Sequence, residues 1–341
     1  MCEVFRIVDI ACTFRAVQTC DLAIIGAGPA GLYAAYYAGF RGFSVVLIDT
    51  LAEPGGQVTA MYPEKQIFDI AGFPSVKGRD LIDGLLTQAA TFSPSFILSE
   101  QVTGLVSSEN EVRLTTHVGT EISAKAVLIT GGIGAFTPRP LPVGMEWLDK
   151  GIVHFVPRLA DHLGKNVVVV GGGDSACDWA LSLQPLAASV TVVHRREEFR
   201  AHQATLDALR ALDVTLMVNS EIVAVDGEDT VTSVSVRDKN SGEITVVAAD
   251  TVVAALGFIA NIGPIADWGI ELEKRHIVVD SSMRTSVPRV FAAGDIVTYQ
   301  GKVPLIAVGF GEAATAVNNA APLIRPEAGV FPGHSSGGAT E

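Results

Sequence analysis

Cysteine is scarce in this chain and badly spaced for chemistry. Cys2, Cys12, Cys20 and Cys177 form no CxxC pair, no CxxxxC pair and no group with zinc-ligand spacing. A built-in redox dithiol and a metal centre are therefore not expected. Basic charge is short as well: 24 Lys+Arg stand against 37 Asp+Glu, a formal net charge of -13, so a nucleic-acid partner, which needs a basic face for phosphates, is not expected. Long apolar runs are missing too. None reaches the roughly eighteen residues of a membrane span, and charges interrupt MCEVFRIVDIACTFRAVQTC, whose apolar stretch is short for a secretory leader, so none is expected. A cytoplasmic protein without a membrane partner is the expectation. What is plentiful is glycine, 34 residues, in a chain 48% hydrophobic and 18% charged, a composition that suits a globular α/β protein with many tight turns. At 341 residues the chain exceeds one comfortable core, so two domains are expected.

Two glycine motifs supply them. IIGAGPAG places Gly26, Gly28 and Gly31 between an apolar strand end and a helix, and VVVGGGDSA repeats the device with Gly171, Gly173, Asp174, Ser175 and Ala176. Glycines at such a turn let the backbone approach a pyrophosphate at a helix N-terminus, where unpaired N–H groups favour anions. The endings differ. After the first motif the next strand, VVLID, ends in Asp49, an acid suited to ribose hydroxyls. At the same distance from Gly171 come His194, Arg195 and Arg196, with Arg200 just beyond. Guanidinium forks clasp a 2′-phosphate that a carboxylate would repel, so this second site is expected to prefer NADP. The alternatives are a surface strand-end carboxylate for Asp49 and a solvated helix face for the arginines.

Between the motifs, SVVLID completes a βαβ unit, a helix is expected from Arg79 to Phe92, and EVRLTTHVG and EISAKAVLIT read as antiparallel strands. TPRPLPVG reads as a linker. A second unit, NVVVVGGG, DSACDWALSLQP and SVTVVHRR, then precedes a return strand, VVAALGF. RVFAAGDIV follows, then a long helix from Gly309 to Asn319. The Gly/Ser-rich tail reads as disordered.

PGGQVTAMYPEKQIFDIAGFP, VVVVGGGDSACDWAL, VHRREEFRAH, FAAGDI and GKVPLIAVGFGEAATAVNNA, in that order, resemble the thioredoxin-reductase-like ferredoxin/flavodoxin NADP reductases, from about Asp21 to Ser336. The resemblance implies an α/β fold of two Rossmann-like, three-layer ββα/βα dinucleotide-binding domains, with an NADPH-binding domain (139–256) inserted into an FAD-binding domain (21–138 and 257–341) after an N-terminal extension (1–20). It also implies site residues. Asp49 would hold the adenosine ribose of FAD, and Val102 would meet the adenine through its backbone. Gln57 would lie by the flavin, Tyr62 would stack on it, and Phe136 would close the pocket. Asp295 would take the ribityl chain, while His334 and Ser336, in the tail, would lie over the ring.

The expected activity follows from the same resemblance. NADPH would pass a hydride to flavin N5, and the flavin would release single electrons to ferredoxin or flavodoxin, with no side chain needed as acid or base. The inserted domain would swing on linkers near Thr137 and Gly257. A homodimer is expected. An acidic carrier would need a local basic patch, for which Lys65, Lys77, Arg79, Arg139 and Lys302 are candidates. Two other readings stay open: a thioredoxin-reductase-like enzyme acting on a separate disulfide or a quinone, and a non-catalytic sensor of the NADPH/NADP ratio.

Overall fold

The computed structural model describes residues 17–331 and Gly333. Its first βαβ unit forms where the glycine motif requires: strand Gln18–Ile25, helix Pro29–Phe40 and strand Val45–Ile48. Proline in the first turn of that helix gives up an N–H that has no partner there anyway. Parallel strands then stand in the order Ser95–Ile97, Val45–Ile48, Gln18–Ile25, Glu121–Ile129 and Val290–Ala292. The fourth of these is shared. Its second half pairs with Val290–Ala292, while its first half pairs with the antiparallel strand Val112–Thr116, which pairs in turn with Val102–Ser107. One continuous core joins this sheet to helices Pro29–Phe40, Gly78–Ala90 and Ile306–Ile324.

The second body is wholly parallel in its main sheet: Ile152–Val153, Thr251–Ala254, Asn166–Val170, Ser189–Val193 and Thr215–Met217. Alternation along these strands divides its interior. Val168, Val170, Val193 and Val252 face a core shared with the antiparallel strands Ser220–Gly227 and Val231–Asp238. Val167, Val169, Val190 and Val253 face the helices Asp174–Leu183 and Gln203–Arg210. Successive side chains point to opposite sides of a strand, so a sheet buried on both sides carries two cores and reads as unbroken valine.

The strands of the second sheet lie in the chain between Glu121–Ile129 and Val290–Ala292 of the first. The chain crosses between the bodies twice, and the two crossings pair as antiparallel strands, Ala135–Pro138 with Phe258–Asn261. Thr137, expected in a linker, lies in this ribbon opposite Ile259. Two other elements begin earlier than their patterns suggest. The first strand starts at Gln18, inside the stretch read as an extension, because Gln18, Thr19 and Cys20 pair with Ile122, Ser123 and Ala124. The last helix starts at Ile306 rather than Gly309 and runs to Ile324.

Candidate functional site

A cavity of about 430 Å³ opens beside the first glycine turn. Gly26, Gly28, Asp49, Gln57, Tyr62, Val102 and Asp295, drawn from across the chain, all line it. Gly31 does not. It packs beneath the turn, where an added Cβ would lie 1.9 Å from the carbonyl oxygen of Gly26 and 2.8 Å from Thr130 Oγ1. Close contact between helix and strand at that point sets how near the helix N-terminus comes to a ligand. The second close approach joins Gly56 to Gly28: a Cβ on Gly56, whose φ is +58°, would fall 3.0 Å from the Gly28 Cα. The bare backbone of two segments therefore forms one wall.

Asp49 is fixed rather than mobile. Its Oδ2 accepts from the Ala27 N–H at 2.6 Å and its Oδ1 from the Leu51 N–H at 2.9 Å. Burial nonetheless raises its carboxyl above the usual range, against the pull of those N–H groups. Burial raises Asp295 too, opposed by the charge of Lys302. Gln57 lies over Gly132, where a side chain would meet its amide nitrogen at 2.8 Å. Phe136 lies in the crossing ribbon opposite Ala260. His334 and Ser336 fall outside the described residues.

Several wall residues escape a motif reading. Glu100 and Gln101 precede Val102, and Pro264, Ile265 and Trp268 come from a short 3-10 turn, Gly263–Asp267, and its end. The indole of Trp268 donates to the Thr103 carbonyl at 3.4 Å. Leu305 and Ile306 bring the start of the last helix to the wall, so its unpaired N–H groups face the same space.

The second motif makes a different arrangement. Gly171 ends strand Asn166–Val170, and helix Asp174–Leu183 follows with Gly173 as its N-cap. Arg195, Arg196 and Arg200 are exposed just past strand Ser189–Val193. His194 sits beneath them. It is buried, its ring meets Phe199 at 4.9 Å, its Nε2 lies 3.1 Å from the Glu198 carbonyl, and an added side chain on Gly172 would collide with it. The Arg200 N–H donates to the Gly172 carbonyl at 2.7 Å, so the arginine loop is tied to the glycine turn. Burial holds the imidazole below its ordinary range, helped by the nearby arginines. Asp174 Oδ1 accepts from the His202 N–H at 3.0 Å, which engages the one acid in the helix's first turn. Lys239, not signalled by any motif, donates to the Arg195 carbonyl at 3.4 Å.

The two bodies touch through residues of both sites. Tyr62 OH and Ser175 Oγ are 3.0 Å apart, the Tyr62 ring stacks on Trp179 at 6.2 Å, and Lys65 Nζ pairs with Asp178 at 2.5 Å. Cys20 and Cys177 are the free thiols among the described residues, and burial raises them to about 12 and about 11.

These features can be set beside known proteins. At 59% identity over 93% of this chain and 97% of its own length, a protein of Nocardioides sp. named ferredoxin–NADP reductase is similar to it. A protein of the same name from Frankia alni is 56% identical, covering 94% and 99%. Among solved structures, the thioredoxin reductase of T. acidophilum superposes with a TM-score of 0.74 at 28% identity, covering 89% of this chain and 98% of that one. The thioredoxin reductase of Lactococcus lactis gives 0.73 at 26%, covering 89% and 99%. The family model described as pyridine nucleotide-disulphide oxidoreductase matches residues 20–320, and the chain belongs to that family.

Proposed function

We propose that the chain is an FAD-dependent reductase carrying electrons between NADPH and ferredoxin or flavodoxin. The observation that carries this reading is the pairing of two glycine turns of one design with strand ends of opposite charge, Asp49 in one body and Arg195–Arg196 in the other. The relatives named ferredoxin–NADP reductase support the acceptor. The sequence supports it too, since it holds no CxxC, and among the described residues the half-buried Cys20 and the buried Cys177 are free thiols.

The cavity fits FAD in the chemistry of its walls. Asp49 can take ribose hydroxyls, Gly28 and Gly56 let a pyrophosphate reach backbone, and Asp295 can accept from a polyhydroxyl chain. Gln57 and Tyr62 stand by the isoalloxazine in this reading, with the start of helix Ile306–Ile324 favouring negative charge on the ring. When bound, FAD supplies the redox chemistry: it takes reducing equivalents in pairs and releases them singly. The residues bind, orient and exclude water. Arg195, Arg196 and Arg200 hold the 2′-phosphate of NADPH in the same reading, Gly171, Gly173, Asp174 and Ser175 cradle its pyrophosphate, and His194 shapes the loop from below. Tyr62 and Lys65 must part from Ser175 and Asp178 for the two rings to meet, with the paired crossing strands as the hinge.

Of the candidate docking cations, Lys302 is withdrawn from the surface and three others are paired with acids. Lys65 is engaged with Asp178, Lys77 and Arg79 with Glu64, and Lys302 is buried on Glu312. Lys77, Arg79 and Arg139 are exposed. A cytoplasmic homodimer completes the proposal, supported by the exposed aromatics Phe40 and Phe92, which pack on Tyr37 and Tyr36 along one helix. The test is anaerobic titration of the purified protein with NADPH, followed by cytochrome reduction with and without ferredoxin. Bleaching of a flavin band and ferredoxin-dependent turnover are expected. A colourless protein that does not reconstitute with FAD refutes the proposal, and turnover with thioredoxin or quinones instead of ferredoxin refutes its acceptor.

A further inference from the structure

Glu312 is a carboxylate buried to 5% exposure on the inner side of helix Ile306–Ile324, one turn beyond Gly309 of the cavity wall. Its Oε2 accepts from the Gly294 N–H at 2.8 Å, and its Oε1 accepts from the Tyr299 hydroxyl at 2.6 Å and from Lys302 Nζ at 2.5 Å. The Lys302 side chain is itself only 9% exposed. A desolvated ion pair adds little net stability even when well bonded, so its presence calls for another role. The position supplies one. Gly294, with φ of +84°, adopts a backbone conformation that favours glycine, and it packs in contact with Ala30 and Gly309, where added Cβ atoms would lie 3.4 Å from Ala30 Cβ and from Gly294 Cα. The next residue, Asp295, faces the cavity. Its ionisation responds to Lys302 and Glu312 with opposite signs, and to His276 on the same side as Lys302. Two carboxylates and one lysine thus share a low-dielectric corner behind the wall formed by Gly294, Asp295, Leu305 and Ile306.

We propose that Glu312 and Lys302 are positioning residues that fix the Gly294–Asp295 backbone and together set the reduction potential of FAD, which each alone would move in opposite directions. The inference rests on the FAD reading above. Neither residue touches the cavity in a motif-legible way: Lys302 reads as a surface cation, and Glu312 as one acid in an alanine-rich helix. Replacing Glu312 by Gln keeps an acceptor for Gly294 but leaves the lysine charge uncompensated beside the cavity. Replacing Lys302 by Met leaves the carboxylate uncompensated. A buried charge is poorly screened, so the electrons entering the ring register it.

The experiment is a potentiometric titration of the flavin absorbance in the purified holoprotein, without NADPH or carrier, for wild type, Glu312→Gln, Lys302→Met and the double variant. Expected is a tenfold rise in the ratio of reduced-form to oxidised-form affinity for Glu312→Gln, about 30 mV upward for a two-electron couple. An equal fall is expected for Lys302→Met, and the double variant should return to within threefold of wild type. Unchanged potentials, or shifts of the same sign in both single variants, overturn the proposal. If Glu312→Gln sheds its flavin, Lys302→Arg decides: it keeps the charge and the donor, so a potential equal to wild type supports the inference and one shifted as far as in Lys302→Met defeats it. A wild-type protein that holds no FAD fails the underlying reading instead.

Discussion

The two bodies begin with one device and finish it differently. In the first, the helix after the glycine turn carries Gly31 against the carbonyl of Gly26. In the second, Ala176 fills the corresponding place, and a Cβ on Gly171 would stand 2.9 Å from its methyl. The first turn opens on a walled cavity, the second on an exposed arginine loop. Titratable groups diverge as well: half-buried carboxyls that are raised, Asp49 and Asp295, in the first, and buried imidazoles that are depressed, His162 and His194, in the second. A shared backbone geometry thus leaves charge and enclosure to the residues at the strand ends, and in the proposed function those separate an internal prosthetic group from an exchanging substrate.

The sharpest way to break that contrast is to exchange the packing residues. Gly31→Ala forces a methyl into backbone, at a cost of about 3 kcal/mol or more, and should abolish flavin retention, measured by the absorbance ratio of the purified protein. Ala176→Gly, which loses a buried methyl and some helix propensity, should cost about 1–2 kcal/mol and leave NADPH affinity near wild type, read by thermal melting and titration. Equal damage from both would mean the turns are packed alike. Next in size, Arg195→Ala with Arg196→Ala should raise KM for NADPH about tenfold or more, since hydrogen bonds to charged groups contribute roughly 1.5–3 kcal/mol each, while KM for NADH barely moves. A comparable rise for both nucleotides would remove the 2′-phosphate from the account.

Smaller effects probe where the bodies meet and how each responds to acid. Tyr62→Phe keeps the ring and deletes the bond to Ser175, about 1 kcal/mol. The rate of flavin reduction by NADPH in stopped flow should rise about fivefold if that bond restrains the motion, and an unchanged rate would show that it does not. For pH, the signs oppose. His162 and His194 have folded values below the ordinary histidine value near 6.5, so the stability they contribute is present above it and lost as pH falls through it towards the folded values. Asp49 and Asp295 have raised values, so the folded state takes up protons first and their contribution improves as pH falls. Between pH 7.5 and 5.5, hydrogen exchange corrected for intrinsic rate should quicken a few-fold in strands Asn166–Val170 and Ser189–Val193 but not in Gln18–Ile25. Uniform quickening would count against the assignment.

Much of this was legible in order along the chain. Alternation, valine runs and glycine turns mark both βαβ units, because strand period and backbone approach are local demands. The acid and the arginines stand out because they follow those turns at one spacing. Other features depend on residues far apart. Gln18 joins a strand only because Ile122 offers a partner. His194, read as a phosphate ligand, turns inward on Gly172 and Phe199. Lys302, read as a docking cation, finds Glu312 once the last helix packs against the Gly294 turn.

The amino-acid order by itself determined the two glycine-turn βαβ units, the acid and the arginines that follow them, and the absence of a CxxC, since each is written in contiguous residues obeying local geometry. Tertiary packing alone decided which charges face solvent and which are buried in pairs. It also closed the cavity with Trp268 and set Tyr62 against Ser175. The physical reason is that burial and electrostatic environment belong to the assembled layers, and residues a hundred or more positions apart acquire them only when the sheets and helices meet.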